Sequence, residues 1–158
     1  MTLLLGLKCP HHTKNRPKRW LKGMKRSHIQ CIICPYVKEG KSVKGATFSW
    51  HLNTHFNCHT RNIVYMIECN IEQCKARYIG ETERSLKDRI AEHIGYIRTH
   101  RLDKSTGAHF NKPGHTSANM TATVIEKVRS NDIFYRKERE SYYIRKFNTF
   151  HNGINLRP

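Results

Sequence analysis

Residues 77–93 read RYIGETERSLKDRIAEH, and the two halves of this stretch follow different periods. Tyr78 and Ile79 open it as a short strand, and Gly80 breaks the strand. Leu86, Ile90 and Ile94 then recur at helical spacing, which makes the second half an amphipathic helix over 84–97. Arg89 and His93 stand beside that apolar stripe, one turn apart. A cation and an imidazole therefore project from a helix that begins a few residues after a strand tyrosine.

The segments around this stretch extend the same fold. Upstream, NIVYMIE alternates Ile63, Tyr65 and Ile67 with Val64 and Met66, as expected of a strand covered on both faces. Downstream comes a polar connector containing GAHFNKPGH. The β-branched run TATVIEKV at 121–128 is a third strand. Asp132 is placed to cap a helix running to about Phe147, with Ile133, Tyr143, Ile144 and Phe147 at helical spacing. The tail FHNGINLRP reads as a loop. The fold expected for 62–158 is a small α+β domain, a three-stranded antiparallel sheet flanked by helices.

Charge bounds the partners. The chain has 158 residues with 29 Lys+Arg, 12 Asp+Glu and a net charge of +17. Such a balance is the electrostatic footprint of a nucleic-acid binder, and it disfavours a module built to dock ordinary protein surfaces. No acidic residue precedes Glu39, and residues 14–26 hold seven Lys/Arg around Trp20. Residues 1–28 are therefore read as a basic arm following phosphates or serving as a nuclear import signal. No apolar run reaches the roughly 18 residues of a membrane span, and the start lacks the pattern of a signal peptide. An intracellular setting makes the six cysteines metal ligands or thiols rather than a disulfide framework.

Residues 29–60 are rich in Cys and His and short of aliphatics, so a metal is expected to hold them. Cys31-x-x-Cys34 forms a knuckle and Cys58 is a third ligand. The fourth lies among His51, His55 and His59, with His55 preferred because His55-x-x-Cys58 makes a second tight pair. Further on, Cys69 and Cys74 flank the turn between the two tyrosine strands, while His109 and His115 sit in HFNKPGH. Two thiolates and two imidazoles make a tetrahedral Zn²⁺ set.

The order of residues also carries chemistry. Cutting a phosphodiester requires an activated water, positive charge on the phosphate, a metal and a stabilised leaving oxygen. Arg89 is a planar fork able to grip two phosphate oxygens. Glu140 is a hard-oxygen ligand suited to Mg²⁺, which needs few protein carboxylates. His93 can orient the phosphate or shuttle a proton. Each residue also has a plainer reading: strand aromatics, a solvated helix face, or a Glu140–Arg136 pair four residues apart.

Tyr78-Ile79-Gly80, an upstream Ile63-Val64-Tyr65, the Arg89/His93 helix, Glu140 in RESYYI, and Gly153-Ile154-Asn155 together resemble the GIY-YIG nuclease family over residues 62–158. The first half-motif keeps its tyrosine and lacks its glycine. With the cysteines and GAHFNKPGH added, the chain looks like the endonuclease domain of Penelope-like retroelements. There the Cys69, Cys74, His109, His115 set also has counterparts. The resemblance implies Tyr65, Tyr78, Gly80, Arg89, His93, Glu140 and Asn155 as catalytic-site residues. One tyrosine takes the proton from water and the other positions it. With an unperturbed phenol near pKa 10, Arg89 and a metal would have to favour the phenolate. It further implies Mg²⁺ or Mn²⁺ at Glu140, structural Zn²⁺, a DNA substrate, and a reverse transcriptase or element RNA as partner. The chain is then a piece of an element's reading frame or a detached nuclease. The competing expectation is a zinc-containing nucleic-acid-binding module that no longer cuts.

Overall fold

The computed structural model describes residues 31–38, 42–45, 47–52, 56–129 and 131–156. The basic arm and His55 lie outside these residues. At the centre is strand β3 (Ile63–Cys69), paired antiparallel on one side with β4 (Arg77–Thr82) and on the other with β5 (Met120–Lys127). The sheet order is β4-β3-β5, so the strand carrying Tyr65 is the middle one. Six of its seven residues are buried, the exception being Glu68, which is why the run IVYMI before it is continuously apolar. A register shift between Val64 and Tyr65 on the β5 side marks a bulge beside the tyrosine.

Helix α1 spans Leu86–Arg98, starting two residues later than its apolar period implies. Ser85 sets the start: its side chain accepts from the Asp88 N–H at 3.1 Å and donates to the Asp88 carboxylate at 2.6 Å. Leu86, Ile90, His93 and Ile97 form the buried face. The expected connector contains a short helix, α2 (Ser105–Phe110), too brief to display a period. Helix α3 spans Ile133–Lys146, capped by the Asp132 side chain accepting from Phe134 N–H. Tyr143 and Ile144 are buried as expected, but Ile133 is 45 % exposed. It occupies the first helical position, where the stripe runs out into solvent.

Both sheet edges are covered. Beyond β5, Val37 makes a parallel bridge to Ala122, and the Lys38 N–H donates to the Ala122 carbonyl at 2.9 Å. Beyond β4, the Ile154 N–H donates to the Arg77 carbonyl at 2.7 Å. Asn155 completes that edge: its amide oxygen accepts from the Ile79 N–H and its amide nitrogen donates to the Ile79 carbonyl, both at 2.8 Å. Gly153 permits this approach, because a Cβ there would lie 2.4 Å from the Arg77 carbonyl oxygen.

The Cys/His-rich segment packs on this core. A small hairpin, β1 (Ser42–Lys44) with β2 (Ser49–His51), belongs to it. Cys31, Ile33, Val43, Leu52, Phe56 and Cys58 are buried in the same cluster as the sheet residues. Trp50 meets Tyr143 edge-on, with ring centroids 5.4 Å apart. Among the described residues no helix is long and apolar enough to cross a membrane.

Asn155 therefore braces a buried strand edge. Asn155→Ala is expected to lower unfolding stability by about 1–3 kcal/mol, since two backbone groups lose their partner. Urea denaturation followed by circular dichroism measures this; an unchanged midpoint would mean that Ile154 alone secures the edge.

Candidate active site and metal centre

The site begins with a missing side chain. Tyr65 and Gly80 are directly opposed across the β3–β4 ladder. A Cβ at position 80 would stand 2.5 Å from the Tyr65 hydroxyl oxygen and 2.7 Å from Tyr78 Cε1. Glycine is needed here for space, so that two tyrosine rings can lean together with centroids 6.3 Å apart.

Tyr65 is 0 % exposed, so its hydroxyl must be satisfied inside the protein. Helix α1 supplies both partners. Arg89 Nε donates to the hydroxyl at 2.8 Å, and His93 Nε2 lies 2.8 Å away on the other side. The second ring nitrogen, His93 Nδ1, is 2.8 Å from Thr106 Oγ1 on α2. Tyr78 and Tyr96 stand edge-on to the His93 ring, at 5.4 and 5.8 Å.

These surroundings set protonation. Burial, then the neighbouring Tyr78, pushes the Tyr65 phenol well above its ordinary range, although Arg89 pulls the other way. Tyr78 is also raised, first by burial. The expectation that Arg89 favours a phenolate thus meets a stronger opposing effect in the protein alone. Burial, reinforced by the Arg89 charge, lowers His93 to about 3, so the imidazole is neutral.

Arg89 has a further partner that the sequence reading missed. Its Nη1 donates to Glu92, which also takes a bond from Arg84 Nη2 at 2.6 Å. Burial acts against the Glu92 carboxylate, but Tyr96 and Arg89 overcome it and hold it at about 2. The i,i+3 spacing of Arg89 and Glu92 was the available signal. Arg89 borders two open cavities, of about 250 and 280 Å³. Tyr78, His93 and Lys104 line the first, and Glu81, Glu83 and Ile133 line the second.

Glu140 approaches from α3. Its carboxylate is raised to about 7, first by burial and then by the charge of Glu81; the Glu81 backbone and Arg89 partly offset this. Its charge also acts on both tyrosines, and the Arg89 charge acts on it, so the four groups are electrostatically linked. The plainer Glu140–Arg136 pair does not form. Arg136 is 1 % exposed and donates through Nε to Glu81, with Glu83 at 3.9 Å and Asn62 at 3.4 Å. Glu140 itself is a half-buried hard-oxygen group of the kind a divalent cation accepts, whereas the Glu81 carboxylate is taken by Arg136. Gly80 and Asn155 act by positioning: one leaves room for the phenol, the other clasps Ile79 beside it.

A second constellation lies at the far end of β3. One ligand atom each from Cys69, Cys74, His109 and His115 lies within 4.8 Å of all the others. The strand end brings Cys69, the β3–β4 turn Cys74, α2 His109, and the loop after α2 His115. Cys74 Sγ is 3.5 Å from His109 Nε2, and the two imidazole centroids are 4.9 Å apart. His115 Nε2 is buried without a hydrogen-bond partner, as a nitrogen reserved for a metal would be. In a tetrahedral Zn²⁺ site the ligand atoms stand about 3.3–3.8 Å apart, so these four need only contract slightly. In the N-terminal set, Cys31 and Cys58 are buried and Cys34 half-buried, while the preferred fourth ligand His55 is outside the described residues. His51 and His59 are exposed.

Comparison with known proteins bears on the catalytic half. No curated protein and no solved structure matches the chain. Residues 61–155, more than half of the sequence, match the family model of the GIY-YIG catalytic domain. That match spans the opposed Tyr65 and Gly80, the Arg89–His93 face of α1, Glu140 and the Asn155 clasp, and it places the chain in the GIY-YIG family of nucleases.

Proposed function

We propose that this protein is a metal-dependent DNA endonuclease that hydrolyses phosphodiester bonds. The observation that carries the reading is the Tyr65 hydroxyl, held at 2.8 Å between Arg89 Nε and His93 Nε2, with the charge of Glu140 acting on it and on Tyr78. The net charge of +17 supports a polyanionic substrate.

The residues divide the work. Tyr78, in the wall of the cavity beside Arg89, positions the attacking water. As the water oxygen bonds to phosphorus, its proton passes to the Tyr65 oxygen, and the Tyr65 proton passes to the neutral His93 Nε2. The bond from phosphorus to the leaving oxygen breaks, and that oxygen is protonated from solvent. Arg89 donates to the phosphate oxygens as charge grows on them, and Glu92 holds the guanidinium in place. Glu140 would hold Mg²⁺ or Mn²⁺, whose charge would help to neutralise the phosphate. Zn²⁺ is the ion proposed for Cys69, Cys74, His109 and His115, and a second Zn²⁺ for Cys31, Cys34, His55 and Cys58.

The likeness of NIVYMIEC, GAHFNKPGH and the GIN ending to Penelope-like domains supports a retroelement origin. A nuclear site of action, and a reverse transcriptase or element RNA as partner, follow from that origin.

Supercoiled plasmid incubated with Mg²⁺ should be nicked or linearised, and EDTA should stop it. Arg89→Ala is expected to cut about 10²–10³-fold more slowly with DNA affinity nearly intact, because one preorganised donor is lost among many cations. Tyr65→Phe and Glu140→Gln should also stop cutting, the latter with DNA still bound. Parental rates for Tyr65→Phe and Arg89→Ala together would leave a nucleic-acid-binding module in place of a nuclease.

Metal content tests the other constellation. Elemental analysis of purified protein should find one zinc equivalent fewer in Cys74→Ala and His115→Ala than in the parent. Equal content would exclude these residues as ligands.

A further inference from the structure

We propose that Thr106 is a positioning residue that fixes the tautomer of His93, and that α2 is held in place to deliver it. The inference rests on the reading of Tyr65 and His93 as the proton-accepting pair, and deepens it.

Hydrogen-bond accounting at the phenol fixes the assignment. The Tyr65 oxygen has one hydrogen and two lone pairs. Arg89 Nε can only donate, so it occupies one lone pair. The hydroxyl hydrogen then needs an acceptor within a fully buried site, and His93 Nε2 is the group at 2.8 Å. Were Nε2 protonated, the phenol would face two donors and its own hydrogen would be left with only the neighbouring Tyr78 hydroxyl, with no acceptor as well placed as Nε2. His93 therefore carries its proton on Nδ1, and Thr106 Oγ1, 2.8 Å from Nδ1, accepts it. Free imidazole in water prefers the opposite tautomer only slightly, so one well-placed acceptor is enough to decide the matter.

The fold spends several contacts on placing this hydroxyl. Thr106 is 1 % exposed, and it is brought to His93 by the packing of α2 on the end of α1. Gly107 makes that approach possible, since a Cβ there would lie 2.1 Å from the Arg101 carbonyl oxygen and 3.2 Å from that of Tyr96. Asn111 Nδ2 then ties the two helices, donating to the carbonyls of Ile97 at 3.0 Å and Gly107 at 2.8 Å. One turn after Thr106, His109 enters the Cys/His constellation. The helix that sets the imidazole is thus anchored at α1 on one side and at the cysteines on the other.

In the reaction the arrangement has a definite task. An Nδ1-protonated imidazole presents a lone pair at Nε2, and after it takes the Tyr65 proton the Nδ1–H stays on Thr106. The other tautomer presents an N–H to Tyr65 and cannot receive a proton there.

The test reads the imidazole itself, without DNA or cleavage. In ¹⁵N-labelled protein, the parent His93 should show a protonated Nδ1 and an unprotonated Nε2 across the neutral pH range. Thr106→Val, which keeps the shape and removes the acceptor, should shift His93 to the Nε2-protonated form or a mixture. Thr106→Ser, which restores a hydroxyl, should return the parental signals. Plasmid cutting should follow, with kcat about tenfold or more lower in Thr106→Val, KM little changed, and recovery in Thr106→Ser. An unchanged His93 tautomer in Thr106→Val overturns the proposal, whatever the rate. A shifted tautomer with parental cutting also overturns the positioning role. A parental rate in Tyr65→Phe separately refutes the underlying pair. Asn111→Ala gives a second route: loosening α2 should shift the same signals in the same direction.

Discussion

The structure depends on a cross-strand pair in which one member has no side chain. Tyr65 and Gly80 face each other across β3 and β4, and the phenol fills the space a residue at 80 would otherwise claim. Burying the ring is favourable; burying its hydroxyl without a partner would cost about 1–3 kcal/mol. The donor and acceptor that remove this cost come from one face of α1, four residues apart, so the phenol fixes how that helix is rotated. Leu86, Ile90 and Ile97 then point into the core from the same helix. The demand for a satisfied buried phenol and the demand for a closed apolar core are met by a single orientation of α1. The candidate active site is a by-product of neither; it is where the two meet.

Much of this was legible in the sequence because the elements involved are long or strongly periodic. Strand β3 announces itself by the alternation of Ile63, Tyr65 and Ile67 with Val64 and Met66, and α1 and α3 by their apolar repeats, α3 also by its cap Asp132; the Ser85 cap of α1 went unread. The two histidines and two cysteines were likewise visible as residue types, although their meeting depends on a strand end, a turn, a helix and a loop. What escaped has physical reasons. Helix α2 has six residues, and STGAHF contains no period to read; its position is fixed by Gly107 and Asn111 against α1. Thr106 gave no signal for the same reason. Arg136 looks like one more cation on a solvated helix, yet it is among the most buried side chains, since Glu81 on β4 offers it a carboxylate inside the protein. Asn155 could be placed in the site by resemblance alone; only the β4 edge reveals that its amide is spent on Ile79.

Glu81 illustrates how a structural contact can shape a site. Its carboxylate is held in place by the buried Arg136, and its charge acts on Glu140. A second carboxylate nearby raises the cost of ionising Glu140, and burial raises it further. A group in that condition gains most from a cation. The arginine that anchors Glu81 thus acts on Glu140 at one remove, which is a different relation from the direct i,i+4 pair the helix spacing offered.

The Cys/His-rich segment is joined to the catalytic fold at points that matter to it. The carbonyls of Cys58 and Thr60 accept from the N–H groups of Lys87 and Leu86, at 2.8 and 3.0 Å. These donors belong to the first turn of α1, where a helix has no internal partners for its N–H groups. Ser85 satisfies one N–H of that turn from within, and the segment before β3 satisfies two more. At the other side Val37 and Lys38 close the β5 edge, and Trp50 Nε1 donates to the Ile125 carbonyl at 3.4 Å. The start of α1 is thereby fixed by residues around Cys58, and its far end by α2, which is itself fixed at His109. Arg89 and His93 lie between these two supports. A helix so held at both ends has little freedom to turn, and a guanidinium and an imidazole that must meet one hydroxyl at 2.8 Å each require that restraint.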